Sequence, residues 1–166
     1  MRVTLETATA DDASALAALR TAVAEHLTRQ YGKGFWSSGA TEKGALYHMR
    51  TSLVCVARDE QGLLIASLRL ATKKPWAIDK TYFTPCVRPL YLTDMAVKPE
   101  LQRSGIGRLC LAEAQRIVKG WPGDAIRLDA FDAEAGAGEF YRKCGYREMG
   151  RVVYRNVPLI YFELLL

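Results

Sequence analysis

The fold of this chain is decided by six residues just past its middle, Gln102-Arg103-Ser104-Gly105-Ile106-Gly107. An apolar run ends before them at Val97, and a stretch with helical spacing of apolar residues, 108–119, follows them. This order predicts a strand, a turn and the start of a helix. The glycines remove Cβ atoms where a ligand would approach, and the N–H groups of a first helical turn point outward. The segment therefore predicts a phosphate-binding turn.

Two commoner phosphate loops match the same residues poorly. A P-loop requires Lys-Ser or Lys-Thr after its last glycine, whereas Arg108 and Leu109 follow Gly107. A dinucleotide fingerprint requires glycine or alanine at position 110 and a first strand that opens the domain, whereas Cys110 stands there, far from the start of the chain. The remaining alternative is a pair of ordinary turn glycines before a surface helix.

Two segments in this part of the chain carry a family resemblance. The run Leu92-Thr93-Asp94-Met95-Ala96-Val97-Lys98-Pro99-Glu100-Leu101 leads into the turn, and Ala137-Gly138-Glu139-Phe140-Tyr141-Arg142-Lys143-Cys144-Gly145-Tyr146 follows later. The first, with its turn, resembles the acetyl-CoA motif Gln/Arg-x-x-Gly-x-Gly/Ala of the GNAT superfamily of N-acetyltransferases. The second is similar to that family's later Ala-x-x-Phe-Tyr-x-x-x-Gly-Phe/Tyr helix. The resemblance covers roughly Pro89 to Tyr146 and is weak over about the first eighty residues.

The resemblance implies both a fold and an activity. The implied fold is α/β: a GNAT-like mixed, splayed sheet of about seven strands flanked by about four helices, in a single domain over residues 1–166. The implied activity is transfer of an acetyl group from acetyl-CoA, as co-substrate, to a primary amine by direct attack.

The composition agrees with one soluble domain. The chain has 166 residues, of which 49% are hydrophobic and 25% charged. The longest apolar stretches fall short of the about 20 residues that a membrane span needs, and no signal peptide is evident. We therefore expect a cytoplasmic protein without a membrane partner. The net charge of +5 suits a polyanion such as CoA, and without a basic run or an RNA-binding motif we expect no nucleic acid.

The cysteines and histidines point to no metal. The four cysteines, Cys55, Cys86, Cys110 and Cys144, show no C-x-x-C spacing, so we expect them to be reduced and mostly buried. His26 and His48 have no metal-ligand spacing and no nucleophile pattern nearby. We therefore expect structural or surface roles for both histidines.

The rest of the chain alternates between helical and extended patterns. The predicted helices follow Thr9 (apolar at Leu16, Leu19, Val23 and Leu27), follow Thr41 up to about Arg50, and span 105–119 and 137–144. The predicted strands are 2–7, the hairpin 53–57 and 63–70, 90–97, 125–131, 146–153 and 157–166. The last strand is apolar on both faces apart from Glu163, so it either lies between covering layers or meets another subunit. The chain is accordingly expected to be a monomer or a homodimer.

Acetyl transfer to an amine calls for a base and a proton donor. An alkylamine of pKa about 10.4 is neutral in only about one molecule per thousand near pH 7, and only the neutral form attacks a thioester. The leaving thiolate, whose thiol has a pKa of about 8.5, is assisted by a group still protonated at pH 7, such as a tyrosine.

The resemblance assigns candidates to these roles. It places the family's thiolate-facing tyrosine at Tyr141. Asp94 is the candidate base, directly or through a water, and the alternative for it is a bulge aspartate that bonds local backbone N–H groups. Glu134 is the fallback base. Glu134 also stands where many family members have an asparagine that helps to hold the cofactor, and its carboxylate lacks the donor of that amide.

The resemblance also implies a set of cofactor contacts. A bulge near Asp94 should expose backbone groups to the pantetheine arm, and the turn should bind the pyrophosphate mainly through main-chain N–H groups. The expected cofactor-binding residues are Met95, Ala96, Val97, Gln102, Arg103, Ser104, Gly105, Ile106, Gly107, Arg108, Glu134, Ala137 and Phe140.

The acceptor is the part of the function that the sequence leaves open. Trp36, Trp76, Tyr82 and Phe83 either line its pocket or anchor their own loops. A small-molecule amine is the predicted acceptor. The alternatives are a protein or peptide amine, and a non-catalytic acyl-CoA-binding sensor.

Overall fold

The computed structural model describes residues 2–166. Within them lie four α-helices and seven β-strands. In chain order these are β1 (Glu6–Thr7), α1 (Ala13–Tyr31), α2 (Glu42–Thr51), β2 (Leu53–Arg58), β3 (Leu64–Ala71), β4 (Pro89–Val97), α3 (Ile106–Gly120), β5 (Ala125–Phe131), α4 (Gly138–Lys143), β6 (Arg147–Tyr154) and β7 (Val157–Leu165).

The seven strands form one open, mixed sheet in the order β1-β2-β3-β4-β5-β7-β6. β4 and β5 are parallel, joined through α3, as the strand-helix-strand pattern predicts. The hairpin of β2 and β3 and the final pair β6 and β7 are antiparallel, again as predicted. The ladder between β4 and β5 covers only Pro89–Tyr91 against Ala125–Arg127, although β4 continues to Val97. The predicted splayed sheet is therefore confirmed.

The chain divides into two compact units. The first comprises the residues up to Leu70 together with Asp94–Ala114. Its core packs Leu16 of α1 and Met49 of α2 against Val54 and Val56 of β2. α2 begins where predicted, because the Thr41 hydroxyl accepts a hydrogen bond from the Gly44 amide at 3.1 Å.

The second unit comprises Ala71–Thr93 and Gln115–Leu166. Its core contains Ile78, Phe83, Tyr91 and Tyr161. β7 lies between β5 and β6, and its residues 159–162 are buried, as covering layers within one chain require. Glu163, the polar exception on β7, is also buried, and its carboxylate accepts a hydrogen bond from Arg127 Nε at 3.1 Å.

The first strand differs from its predicted length, and the loop before β4 follows one of its two predicted alternatives. The first strand is shorter than predicted and pairs with β2 only at Glu6 and Thr7. The long irregular segment before β4 is anchored by aromatic packing, since the rings of Tyr82 and Phe83 lie 5.4 and 5.2 Å from the ring of Tyr161. The Tyr161 hydroxyl also accepts a hydrogen bond from the Asp79 amide at 3.1 Å.

Residues 2–166 contain neither a membrane-spanning helix nor a group of metal-binding side chains. None of the helices described there is long and apolar enough to cross a membrane. Within the same residues, no three or more His, Cys, Asp or Glu side chains are grouped so as to hold a metal ion.

Candidate functional site

The predicted phosphate turn has a backbone conformation that favours glycine. Arg103 and Gly105 have φ angles of 62° and 91°, in the left-handed region. Gly105 then leads directly into α3, and its carbonyl accepts the Leu109 amide at 3.1 Å. Ile106 anchors the helix start, because its side chain is 1% exposed. The buried Ile106 side chain therefore anchors the turn to the core, while residues 102–105 of the turn are exposed.

Polar side chains of the turn close it onto the end of β4. Gln102 Nε2 donates to the Val97 carbonyl at 3.1 Å, and the Ser104 hydroxyl donates to the Leu101 carbonyl. These side chains stabilise the turn from within, so their truncation would change its shape as well as any contact with a ligand. Arg103 and Arg108 are exposed and add positive charge to the surface of the turn.

The space in front of Gly105 is open. A Cβ placed on Gly105 would meet no atom of the described residues within 4 Å. The amide groups of the first turn of an α-helix point outward from its N-terminus, and the helix dipole adds a partial positive charge there. Two arginines, an open backbone and a helix start fit a pyrophosphate, so the residues present suit the phosphate end of CoA.

Asp94 is held in a left-handed conformation by two arginines. Its φ is 53°, which aspartate tolerates better than most residues. Arg20 donates to the Asp94 carbonyl at 2.9 Å and to Oδ1 at 3.0 Å, and Arg69 Nε lies 2.7 Å from Oδ2. Both carboxylate oxygens therefore have guanidinium partners. Each oxygen keeps a second lone-pair site, so an ammonium that bonded Asp94 would do so beside two positively charged guanidinium groups.

A cleft of about 550 Å³ opens beside Asp94 in the first compact unit. α1 and α2 form its walls, the loop between them closes one side, and Met95 of β4 contributes to its lining. The lining residues are Ala17, Arg20, Val23, Ala24, Leu27, Phe35, Trp36, Ser38, Gly39, Ala40, Thr41, Gly44, Ala45, His48 and Met95. A volume of this size accommodates one small organic molecule.

His48 is a candidate functional residue that sequence reasoning missed. It lies on α2, lines the cleft, and places Nδ1 3.9 Å from Asp94 Oδ2. Burial and the neighbouring Arg69 hold the pKa of His48 below its usual value, Asp94 opposes this change, and Arg20 adds to it. The imidazole is therefore neutral at pH 7. Its helical spacing with Gly44 and Ala45, which also line the cleft, is the only sequence signal that could have identified it.

Tyr141 lies on α4 in the second compact unit, where it is 7% exposed. Its ring packs edge-on against Tyr146, with ring centroids 5.6 Å apart. Burial, with smaller contributions from Asp129 and Cys144, raises the pKa of Tyr141 above its usual value. The hydroxyl is therefore protonated at neutral pH and can donate a hydrogen bond.

The remaining predicted site residues differ in their surroundings. In the second unit, Glu134 and Ala137 are exposed and Phe140 is half-buried. In the first unit, Met95 and Val97 are half-buried and Ala96 is buried.

The four aromatic candidates for the acceptor pocket separate into two groups. Trp36 lines the cleft of the first unit. Tyr82 and Phe83 instead anchor their own loop against Tyr161, and the Trp76 side chain is 83% exposed. The anchoring alternative therefore applies to Tyr82 and Phe83, while Phe35, which was not predicted, joins Trp36 at the cleft.

Known proteins are similar to this chain in two ways: a family sequence model matches it, and solved structures share its fold. Residues 50–148 match the sequence model described as acetyltransferase (GNAT) domain. No curated protein sequence matches the chain. Ribosomal-protein-alanine N-acetyltransferase from Brucella melitensis is similar in structure, with a TM-score of 0.73, 17% identity, and coverage of 98% of this chain and 99% of that chain.

Two further solved structures share the fold. The structure of yncA from Salmonella typhimurium, which contains its cofactor acetyl-CoA, gives a TM-score of 0.70 at 14% identity and covers 99% of this chain and 94% of that chain. A spermidine N-acetyltransferase chimera from Vibrio cholerae and hSSAT gives 0.71 at 19% identity and covers 99% and 96%.

Proposed function

The chain belongs to the GNAT acetyltransferase family, and from that premise we propose that it transfers an acetyl group from acetyl-CoA to the primary amine of a small molecule. The observation that carries this proposal is the open, left-handed turn at Arg103 and Gly105, which leads into the start of α3. Such a turn has the shape and charge that a pyrophosphate requires.

The cofactor contacts follow from the shape of the turn. The backbone of 102–108 would bind the pyrophosphate, with Arg103 and Arg108 adding charge, and Met95–Val97 would bind the pantetheine arm through main-chain groups. Ala137, Phe140 and Glu134 remain proposed contacts. When bound, acetyl-CoA supplies a thioester whose carbonyl carbon is open to attack by a neutral amine.

Tyr141 is the proposed donor to the leaving sulfur. Its raised pKa keeps the hydroxyl protonated, but it also makes complete proton transfer to a thiolate unfavourable, since the conjugate thiol has a pKa of about 8.5. Tyr141 therefore acts mainly by donating a hydrogen bond to the sulfur as negative charge develops there.

The proton of the amine has two candidate acceptors in the first unit. Asp94, the residue that the sequence predicts, has both oxygens engaged by Arg20 and Arg69. His48 lines the cleft and is neutral at pH 7, so it can accept a proton without losing an ion pair. We propose His48 as the proton acceptor, with Asp94 as the residue that holds Arg20 in place. Exposed Glu134 is the third candidate.

The cleft between α1 and α2 supports a small acceptor. Its volume of about 550 Å³ suits a single small molecule, and its lining comes from α1, α2, the loop between them and Met95. The spermidine enzyme among the structural neighbours acts on a small amine, whereas the ribosomal-protein enzyme acts on a protein. Protein or peptide acetylation is therefore the second candidate function.

The experiment is release of free CoA thiol from acetyl-CoA, measured with and without a panel of amines. Thiol release that depends on an amine supports the transferase. Binding of acetyl-CoA without release to any small amine or peptide would support the acyl-CoA sensor instead. Replacing His48 by Gln and Asp94 by Asn then separates the two proton acceptors. A larger loss of kcat in the Asp94 variant than in the His48 variant would return the role to Asp94.

A further inference from the structure

We propose that the acceptor is an amine that also carries a carboxylate and an apolar side chain, as a hydrophobic amino acid does, and that Arg20 binds the carboxylate. This inference rests on the proposed acetyl transfer and specifies its substrate class. It uses only the cleft of the first unit, and its starting point is the charge of the cleft lining.

The cleft lining has no carboxylate. Among its fifteen residues, the ionisable side chains are Arg20 and His48, and no Asp or Glu of residues 2–166 lines it. A polyamine or an aminoglycoside carries several positive charges, and desolvating them without a carboxylate partner is costly. The lining therefore disfavours a polycation and favours an acceptor that carries negative charge.

Arg20 has donors left for such a charge. Asp94 engages two of its five N–H donors, one through the main-chain carbonyl and one through Oδ1. The Arg20 side chain is 32% exposed and lines the cleft. Arg20 and Arg69 both contact the Asp94 carboxylate, and an acceptor carboxylate would place a second anion beside Arg20.

The remainder of the lining suits an apolar body. Val23 and Leu27 project from α1, and Phe35 and Trp36 come from the following loop. The rings of Phe35 and Trp36 lie edge-on, with centroids 5.6 Å apart. Aromatic surfaces of this kind bind apolar side chains and exclude water.

His48 lies where it would accept the proton of the attacking amine of such an acceptor. It shares Asp94 with Arg20, so a ligand that bonds Arg20 lies near the imidazole. In an α-amino acid the amine and the carboxylate are attached to the same carbon. The carboxylate on Arg20 would thus hold the amine near the proposed proton acceptor.

The test compares one polyamine with two acceptors that share a phenyl group. L-phenylalanine carries both groups, 2-phenylethylamine lacks the carboxylate, and spermidine is the polycationic comparison. We expect kcat/KM for L-phenylalanine to exceed that for 2-phenylethylamine by at least about tenfold, which corresponds to about 1.4 kcal/mol. In Arg20→Met the ratio should fall to about one. Arg29→Met removes an exposed charge from the same helix outside the cleft and should leave the ratio unchanged.

Because Arg20 also holds Asp94, its variant could fail to fold, so a second measurement uses the wild-type protein. Inhibition by 3-phenylpropionate, which has the body and the carboxylate but no amine, should be at least about tenfold stronger than inhibition by 3-phenylpropanol. Equal inhibition would overturn the inference, as would a preference for 2-phenylethylamine or spermidine. If acetyl-CoA stabilises the protein and amines without a carboxylate are the ones acetylated, the inference fails and the proposed function stands. If acetyl-CoA neither binds nor reacts, the proposed function fails first.

Discussion

Loss of the hydroxyl group should raise the stability of the fold at Tyr146 and lower the turnover at Tyr141, although the two tyrosines are neighbours. Tyr141 and Tyr146 are 7% and 3% exposed, and their rings pack edge-on at 5.6 Å. The Tyr146 hydroxyl has no hydrogen-bond partner among residues 2–166. The Tyr141 hydroxyl is the one that we propose to face the leaving sulfur. Replacing each tyrosine by phenylalanine keeps the ring and removes only the oxygen.

The expected magnitudes follow from these surroundings. A buried hydroxyl without a partner costs about 1–3 kcal/mol, so Tyr146→Phe should stabilise the fold by about 1 kcal/mol. For a chain of this length that is a rise in Tm of about 2–4 °C. Tyr141→Phe should lower kcat about 10²-fold, the usual effect of removing one donor to developing negative charge, with little change in acetyl-CoA affinity.

Thermal unfolding and thiol release, measured on both variants, test this prediction. Tyr146→Phe is the control for Tyr141→Phe, because it removes the same atom from a buried ring a few ångströms away. The reasoning is refuted if Tyr146→Phe lowers Tm, or if Tyr141→Phe keeps the turnover of the wild type.

Three further predictions concern charged groups. Glu163→Gln should destabilise the fold by about 3 kcal/mol in denaturant titration, because it leaves the buried Arg127 without its charge partner. Glu148 forms ion pairs at the surface, so the control Glu148→Gln should cost under about 1 kcal/mol. Amine-dependent turnover should be lost as the pH falls through the lowered pKa of His48, and a profile without any acidic decline over the pH range in which the protein stays folded would count against His48 as base. Stability should also decline below about pH 6.5, because the unfolded chain then binds the His48 proton more readily, and His48→Gln should weaken this decline in unfolding curves taken at several pH values.

The secondary structure was largely predictable because it depends on local signals. Apolar spacing located α1 and α3, and the hydroxyl of Thr41 marked the start of α2. Strand β5 was predicted with its exact bounds. The ends of short elements were less predictable, since pairing with a neighbouring strand, rather than the chain itself, decides where β1 begins.

The turn before α3 could be predicted, but the cleft could not. The turn is one continuous segment between a strand and a helix, and in the structure Gly105 has a left-handed conformation there. Asp94 and its neighbours Arg20, His48 and Arg69 come from four elements, with Arg20 lying 74 positions away in sequence. No local pattern indicates such a contact, so Asp94 was predicted as a base and His48 as a surface or structural residue.

The measurement that tests the central claim most directly is acetyl-CoA affinity by calorimetry for the wild type, Gly105→Ala and Gly62→Ala. Gly105 and Gly62 have φ angles of 91° and 80°, and a Cβ on either would meet no atom of residues 2–166 within 4 Å, so both substitutions cost similar backbone strain of about 1 kcal/mol. Only the Cβ at position 105 would occupy the space where we propose that the pyrophosphate binds. The account predicts wild-type affinity in Gly62→Ala and at least about tenfold weaker binding in Gly105→Ala. Equal affinity in all three proteins, or no binding by the wild type, would contradict it.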